Sequence, residues 1–315
     1  MRAVVIKEFG GPEVFEEREV STPRPQANEV LVKVYATSIN PVDYKIRQSG
    51  TWAGITPPAI IGYDVSGVVE AVGADVKDFR VGDEVYYTPE IFGRQGSYAE
   101  YHVENEAVVA RKPTQLSHVE AASIPLAGGT AWDAIVTRTN VQAGETVLIH
   151  GGSGGVGSFA IQIAKAIGAT VYAVASERNQ EFMKSLGADY VFNYKAEDYM
   201  QRILRQTNNV GVDVVFDTVG GDTLSKSIVV TKPFGRMVSI VNTTGDLNTA
   251  YGKNITLHFE FLQRARYKLD YLREFVEQGK IKTVIDSVFP LSQVAEAQKK
   301  LEQGGVRGKV AVQVV

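Results

Sequence analysis

The stretch from Thr146 to Gly157, TVLIHGGSGGVG, restricts the fold of this chain more than any other. Thr146 to His150 reads as a buried strand. Glycines follow at 151, 152, 154, 155 and 157, and SFAIQIAKAIG then reads as a helix. Phe159, Ile163 and Ile167 fall on one stripe of that helix, with Ala160 and Ala164 beside it. Gly152, Gly154 and Gly157 fill the three places of G-x-G-x-x-G. The first allows a tight turn, the second lets backbone approach a pyrophosphate, and the third lets the helix pack against the strand. The candidate phosphate seat is thus the backbone of Gly152, Gly154, Gly155, Val156 and Gly157, where the N-terminal N–H groups of the helix favour an anion. A glycine-rich turn alone is weak evidence. Flanked by strand and helix, with another strand at the right distance, it reads as a dinucleotide turn rather than a plain structural one.

The rest of the chain narrows the class. At 315 residues it has room for two domains. A net charge of −3 with no basic run argues against a nucleic-acid partner. No apolar run approaches the roughly 20 residues of a membrane helix, and MRAVVIKEFGG has too short an apolar core for a signal peptide. A cytoplasmic protein with no membrane partner is the expectation. There is no cysteine, so disulfides, thiolate nucleophiles and cysteine-ligated metals are excluded. The four histidines, at 102, 118, 150 and 258, show no ligand spacing.

Residues 1 to about 124 read as an antiparallel, turn-rich half. EVLVKVYATSI sets Val30, Val32 and Val34 on one face, and GYDVSGVVEAVG, VGDEVYYTPE and GSYAEYHVEN are further strands. No helix is assigned before Ser117, where Ser117 and Glu120 make a capping-box pattern. From about residue 125 strands and helices alternate. One helix follows Gly128-Gly129-Thr130, another covers EDYMQRILRQT, and VLI, VVF and MVSIV are short apolar strands. That rhythm predicts a doubly wound parallel sheet with both faces covered. After FLQRARYKLDYLREFVEQG, a helix, TVIDSVFPL and GKVAVQVV are strands again. The expected class is α/β: a Rossmann domain over 125–261 inserted into a β-rich domain made of 1–124 and 262–315.

Several motifs together carry a family resemblance: S-I-N-P-V-D-Y-K-I-R at 38–47, I-G-Y-D-V-S-G-V-V at 61–69, V-G-D-E-V at 81–85, the glycine-rich turn, and L-E-Q-G-G-V-R-G-K-V near the end. With these the chain resembles the medium-chain dehydrogenase/reductase superfamily over essentially its whole length. Within it the chain is similar to the zinc-independent branch of quinone oxidoreductases and enone or alkenal reductases, with N-P-V-D-x-K and G-Y-D-V-x-G-V-V closest to the enone group. The resemblance implies a GroES-like β-rich catalytic domain beside the Rossmann domain. The zinc alcohol dehydrogenases of the superfamily carry a cysteine where this chain has Asn40-Pro41-Val42-Asp43, G-H-E where it has Gly62-Tyr63-Asp64, and a four-cysteine lobe absent between Val85 and Ala99. Without a Lewis acid, alcohol oxidation loses its usual means of stabilising an alkoxide.

The implied activity is hydride transfer from NADPH to a small-molecule quinone or α,β-unsaturated carbonyl, without metal. Ser176 stands where NAD enzymes hold an acidic residue for the ribose 2′-OH. Ser176 and Arg178 suit a 2′-phosphate, and Glu177 dissents. By the resemblance, S-x-R-N goes with NADPH, and Tyr194 matches another 2′-phosphate contact; it reads equally as a strand-end aromatic. Thr130 matches a cofactor contact or caps a helix. Negative charge that builds on a carbonyl oxygen needs hydrogen-bond donors. The candidates are Asn40, Tyr44, Lys45 and Tyr63, with Asp43 orienting its neighbours. Three have a plainer alternative: Asn40 shapes a turn before Pro41, Lys45 is solvated, and Tyr63 fills volume. Because relatives of this scaffold serve as lens or vesicle proteins, a non-catalytic NADPH-binding structural or sensing role stays open. NITLHFEF, a strand that pairs across a two-fold axis in the superfamily, implies a homodimer.

Overall fold

The structure is a computed structural model and describes residues 1–196 and 198–315. It divides into two compact units, Met1–Gly129 with Arg264–Val315, and Thr130–Gln263. No helix among the described residues is long and apolar enough to cross a membrane.

The second unit holds a six-stranded parallel sheet. Its strand order is Tyr190–Asn193, Thr170–Ala175, Thr146–His150, Val212–Asp217, Thr231–Ser239 and Thr256–Phe259. The glycine-rich strand is central. Val147, Leu148 and Ile149 are fully buried, as expected of a strand covered on both faces. Each such side chain contributes about 1.5–3 kcal/mol when removed from water. Leu148, Tyr172, Phe192, Val215 and Met237 share one core cluster with Ile203 and Leu224 from flanking helices. The helix expected over EDYMQRILRQT is observed as Tyr199–Gln206, with Asp198 accepting from Gln201 N–H at its start; Glu197 lies outside the described residues.

The first unit is built on a seven-stranded, mainly antiparallel sheet. Glu29–Ser38 lies at its centre, between Val65–Val72 and the C-terminal strand Lys309–Gln313, and also pairs with Tyr101–Asn105. A three-stranded sheet of Phe15–Glu19, Arg2–Ile6 and Ala59–Ile60 accompanies it. The C-terminal strand pairs Ala311 with Ser38, and Ile39 N–H bonds Val310 O at 2.9 Å. Lys309 is thereby carried to the Ile39–Asn40 corner. The Ser117–Glu120 box is formed, with both partners bonding each other's backbone N–H.

Two local expectations are corrected. Pro41–Ser49 is an α-helix, whereas no helix is expected before Ser117 from the pattern of residues. Asn40 is its N-cap and Pro41 its first residue. The Asp43 carboxylate reaches back to Asn40 N–H at 2.8 Å, a capping contact that fixes the first turn. The helix expected after Gly128-Gly129-Thr130 does continue past them, but it begins earlier: Pro125–Trp132 runs through the three residues and passes into a π-helical stretch at Asp133–Arg138. Gly128 faces Ile124 and Leu272, so close packing rather than a turn explains the glycine.

Candidate functional site

In the second unit the glycine-rich turn is built from backbone. Gly151 has φ +71°, and its N–H and that of Gly152 both bond Val174 O, at 3.0 and 3.1 Å. The helix Gly155–Ile167 starts from Gly154 as N-cap, with no side-chain cap. The N–H groups of its first turn therefore have no partner within the helix. The three motif glycines differ in kind. A Cβ at Gly157 would lie 2.2 Å from Gly151 O and 2.8 Å from Gly152 Cα. One at Gly152 would meet Met183, Ile161 and Ala173 within 2.9–3.2 Å. At Gly154 the nearest atom is Gly151 O at 3.5 Å, so this glycine faces open space. Two glycines let helix and strand touch, and one leaves its backbone bare. Together with Gly155 and Val156 in the first helical turn, that is the shape a pyrophosphate needs.

Around the neighbouring strand end, Ser176 caps the short turn Glu177–Asn179. Asn179 Nδ2 donates to Ser153 Oγ at 2.9 Å, tying this turn to the glycine-rich one. Tyr194 N–H reaches Ala175 O at 3.4 Å, so Tyr194 sits beside the residue that precedes Ser176. Arg178 and Tyr194 are both exposed. Lys195, which no sequence motif marks, holds its ammonium 5.6 Å from the Tyr194 ring centroid. Thr130 is buried inside its helix rather than capping it.

In the first unit Asn40, Asp43 and Tyr63 lie together in a buried polar cluster, each 1 % exposed or less. Asn40 Nδ2 donates to Asp64 Oδ2 at 2.7 Å, and Ser38 Oγ donates to the same oxygen at 2.5 Å. Leu126 N–H donates to Asp64 Oδ1 at 2.8 Å. The Lys309 ammonium bonds Asn40 Oδ1 and Ile39 O, and stands 3.4 Å from Asp64 Oδ2. Burial raises the Asp64 carboxyl above its ordinary range, and Lys309 and the donors oppose that rise. Asp43 Oδ2 accepts from Asn40 N–H and from Tyr98 Oη at 2.7 Å, and Gln298 Nε2 donates to Tyr98 Oη at 3.2 Å. Burial pushes Asp43 up to about 7, against the pull of Asn40 N–H, Tyr98 and Lys309.

Two polar atoms of this cluster are buried without a partner among the described residues, Asp43 Oδ1 and Tyr63 Oη. Burial, then the Asp43 charge, raises the Tyr63 phenol further above its ordinary value. Tyr44 is half-buried, and its phenol is raised by burial and then by Glu302 and Asp43. Lys45 is exposed on the same helix. No motif alone marks a role for Asp64, Ser38, Tyr98, Gln298 or Lys309, although Ser38 opens S-I-N-P-V-D, Asp64 ends G-Y-D and Lys309 lies in G-K-V. Among the described residues no three His, Cys, Asp or Glu side chains gather as a metal set would.

Residues 26–114 match the family described as an alcohol dehydrogenase GroES-like domain, and 186–312 the family described as zinc-binding dehydrogenase. A human protein named quinone oxidoreductase is 35% identical over 98% of this chain and 97% of its own. The chain belongs to the quinone and alkenal oxidoreductase branch of the medium-chain dehydrogenase/reductase superfamily. An Arabidopsis thaliana relative, named NADPH-dependent alkenal/one oxidoreductase, chloroplastic, is 37% identical over 99% of this chain and 79% of its own. A solved quinone oxidoreductase from Coxiella burnetii has a TM-score of 0.92 at 37% identity, covering 100% of this chain and 99% of its own. The fold follows the superfamily: a GroES-like unit with a Rossmann-like parallel sheet.

Proposed function

We infer that this oxidoreductase passes a hydride from NADPH to a conjugated carbonyl compound, a quinone or an α,β-unsaturated aldehyde or ketone, without zinc. The observation that carries the reading is the open backbone at Gly154 above the first turn of the helix Gly155–Ile167. Bound there, the reduced nicotinamide would supply the hydride. Arg178, Ser176 and Tyr194, with Lys195 beside them, are the groups offered to a 2′-phosphate, which favours NADPH over NADH.

Hydride arriving at the acceptor carbon sends negative charge to its carbonyl oxygen, and this chain must meet that charge with N–H and O–H donors. Tyr63 and Tyr44 are the hydroxyls offered, and Lys45 is the exposed cation of the same segment. Asn40 positions the segment. Its amide is already committed to Asp64 and Lys309, at the place where zinc dehydrogenases of the superfamily have a cysteine. The names of the human and Arabidopsis relatives, one for quinones and one for NADPH and alkenals, support the same class.

The strand Thr256–Phe259 ends the parallel sheet, with Phe259 and Phe261 exposed, and such an edge favours a homodimer. The test is NADPH oxidation with an ortho-quinone and a 2-alkenal side by side. Acceptor-dependent oxidation is expected. Tight NADPH binding with no oxidation by either acceptor would turn the assignment to a non-catalytic binding protein.

A further inference from the structure

Asn179 is the N-cap of the helix Gln180–Ser185, where an asparagine side chain ordinarily accepts from the first helical N–H groups. It makes no such bond. Asn179 is only 4 % exposed, and its Nδ2 donates instead to two hydroxyl oxygens, Ser153 Oγ at 2.9 Å and Ser176 Oγ at 3.4 Å. An amide NH2 has two hydrogens to give and accepts nothing, so both serines are acceptors there. Each serine keeps its own single proton. Among the described residues neither proton has an acceptor. Ser176 makes no side-chain cap for Glu177–Asn179 either.

The two hydroxyls come from different turns at one edge of the parallel sheet. Ser153 lies between Gly152 and Gly154, and Ser176 follows the strand Thr170–Ala175. That strand pairs with Thr146–His150, and Gly151 N–H and Gly152 N–H both bond its Val174 O. Ser153 is buried and Ser176 half-buried, while Arg178, between Ser176 and Asn179, is exposed. A pair of O–H donors beside a guanidinium suits a phosphate, whose oxygens accept. A ribose hydroxyl at this strand end calls for an acidic acceptor instead. Glu177, the acid within this turn, is exposed. Its charge opposes a phosphate, which leaves the choice to the donors.

We propose that Asn179 is the positioning residue that sets Ser153 and Ser176 as paired donors to the 2′-phosphate of NADPH. By this arrangement the glycine-rich turn reads the phosphate with a side chain, Ser153, as well as holding a pyrophosphate with its backbone. The proposal rests on the reading of that turn as a dinucleotide seat. It places Ser153 beside Ser176, Arg178 and Tyr194 in the discrimination, and gives Asn179, which acts through the two serines, its reason for leaving its own helix uncapped.

The test is calorimetric titration of the full-length protein with NADPH and with NADH, beside thermal melting of each variant. The two ligands share the pyrophosphate and differ only in the 2′-phosphate, and binding is read without turnover. N179A should weaken NADPH about tenfold, the loss expected of hydrogen bonds to a charged group, and leave NADH unchanged. S153A should weaken NADPH several-fold, again with NADH unchanged. In the S153A/S176A background, adding N179A should cost NADPH nothing further, because the residue then has no hydroxyl to set. A plain structural tie between the turns would instead lower the affinity for both dinucleotides, and by the same factor with or without the serines. Either of those results overturns the proposal, as does an S153A variant that binds NADPH like wild type. Should N179A fail to fold, S153A and S176A, which each remove one oxygen, carry the same comparison. Wild type that prefers NADH would overturn the proposal and leave the dinucleotide seat standing. Wild type that binds neither would overturn both.

Discussion

The glycine-rich turn and the buried cluster around Asp64 are built on opposite principles. The turn has almost no side chains. It works through what is missing at Gly152, Gly154 and Gly157, and all its defining residues lie within twelve positions. The cluster is made of side chains brought from far apart: Asn40 meets Asp64 across 24 residues and Lys309 across 269. Steric contacts decide what the turn tolerates, whereas the cluster depends on whether each buried charge keeps its partner.

The largest expected effect falls on the cluster. Lys309→Met leaves the Asp64 carboxylate buried without its cation and should cost about 3–5 kcal/mol of stability at neutral pH. The loss should shrink in acid, where Asp64 takes up a proton. Denaturant unfolding at two pH values checks this, and a loss of less than about 1 kcal/mol at both would show that the lysine is a bystander.

Next in size is the linkage at Asp43. Its folded value of about 7 lies above the ordinary value of 3.8, so the folded state holds the proton where the unfolded chain has released it. Its contribution to stability is therefore fully present below about pH 4 and is lost as pH rises to about 7, amounting to a few kcal/mol at 1.36 kcal/mol per unit. Asp43→Asn should flatten this slope in stability measured against pH. An unchanged slope would mean that Asp43 is ionised throughout.

The turn should split its own glycines. Gly157→Ala drives a Cβ into Gly151 O and should cost about 1–3 kcal/mol of stability along with cofactor binding. Gly154→Ala meets nothing within the protein closer than 3.5 Å, so the melting temperature should hold while NADPH affinity drops about tenfold, or about 1.4 kcal/mol. Equal melting losses in the two variants would erase the distinction between packing and open glycines. The smallest effect is on discrimination. Arg178→Ala with Lys195→Ala should weaken NADPH by several-fold, more at low salt, and leave NADH unchanged.

This contrast also explains what the sequence disclosed. The parallel sheet and its order of elements were legible because apolar runs such as VLI and VVF and the glycine spacing are local signals. The helix Pro41–Ser49 was locally signalled as well, by Asn40 as cap, Pro41 behind it and Asp43 at the third helical position. Asn-Pro fits a turn equally well, so this local signal does not by itself separate turn from helix. Asn40, Asp43 and Tyr63 could be named from motifs. Their partners could not, because Lys309 reaches Asn40 only through the pairing of the last strand with Glu29–Ser38. Lys195 escaped for a similar reason: its contact with Tyr194 depends on how the chain leaves the strand Tyr190–Asn193.

The most direct measurement is NADPH consumption by chelator-treated protein, with a 2-alkenal and an ortho-quinone as acceptors and NADH run in parallel. The account predicts acceptor-dependent oxidation that chelation does not change, with NADPH preferred over NADH. Activity lost on chelation and restored by zinc, or tight NADPH binding with no oxidation by either acceptor, would contradict it.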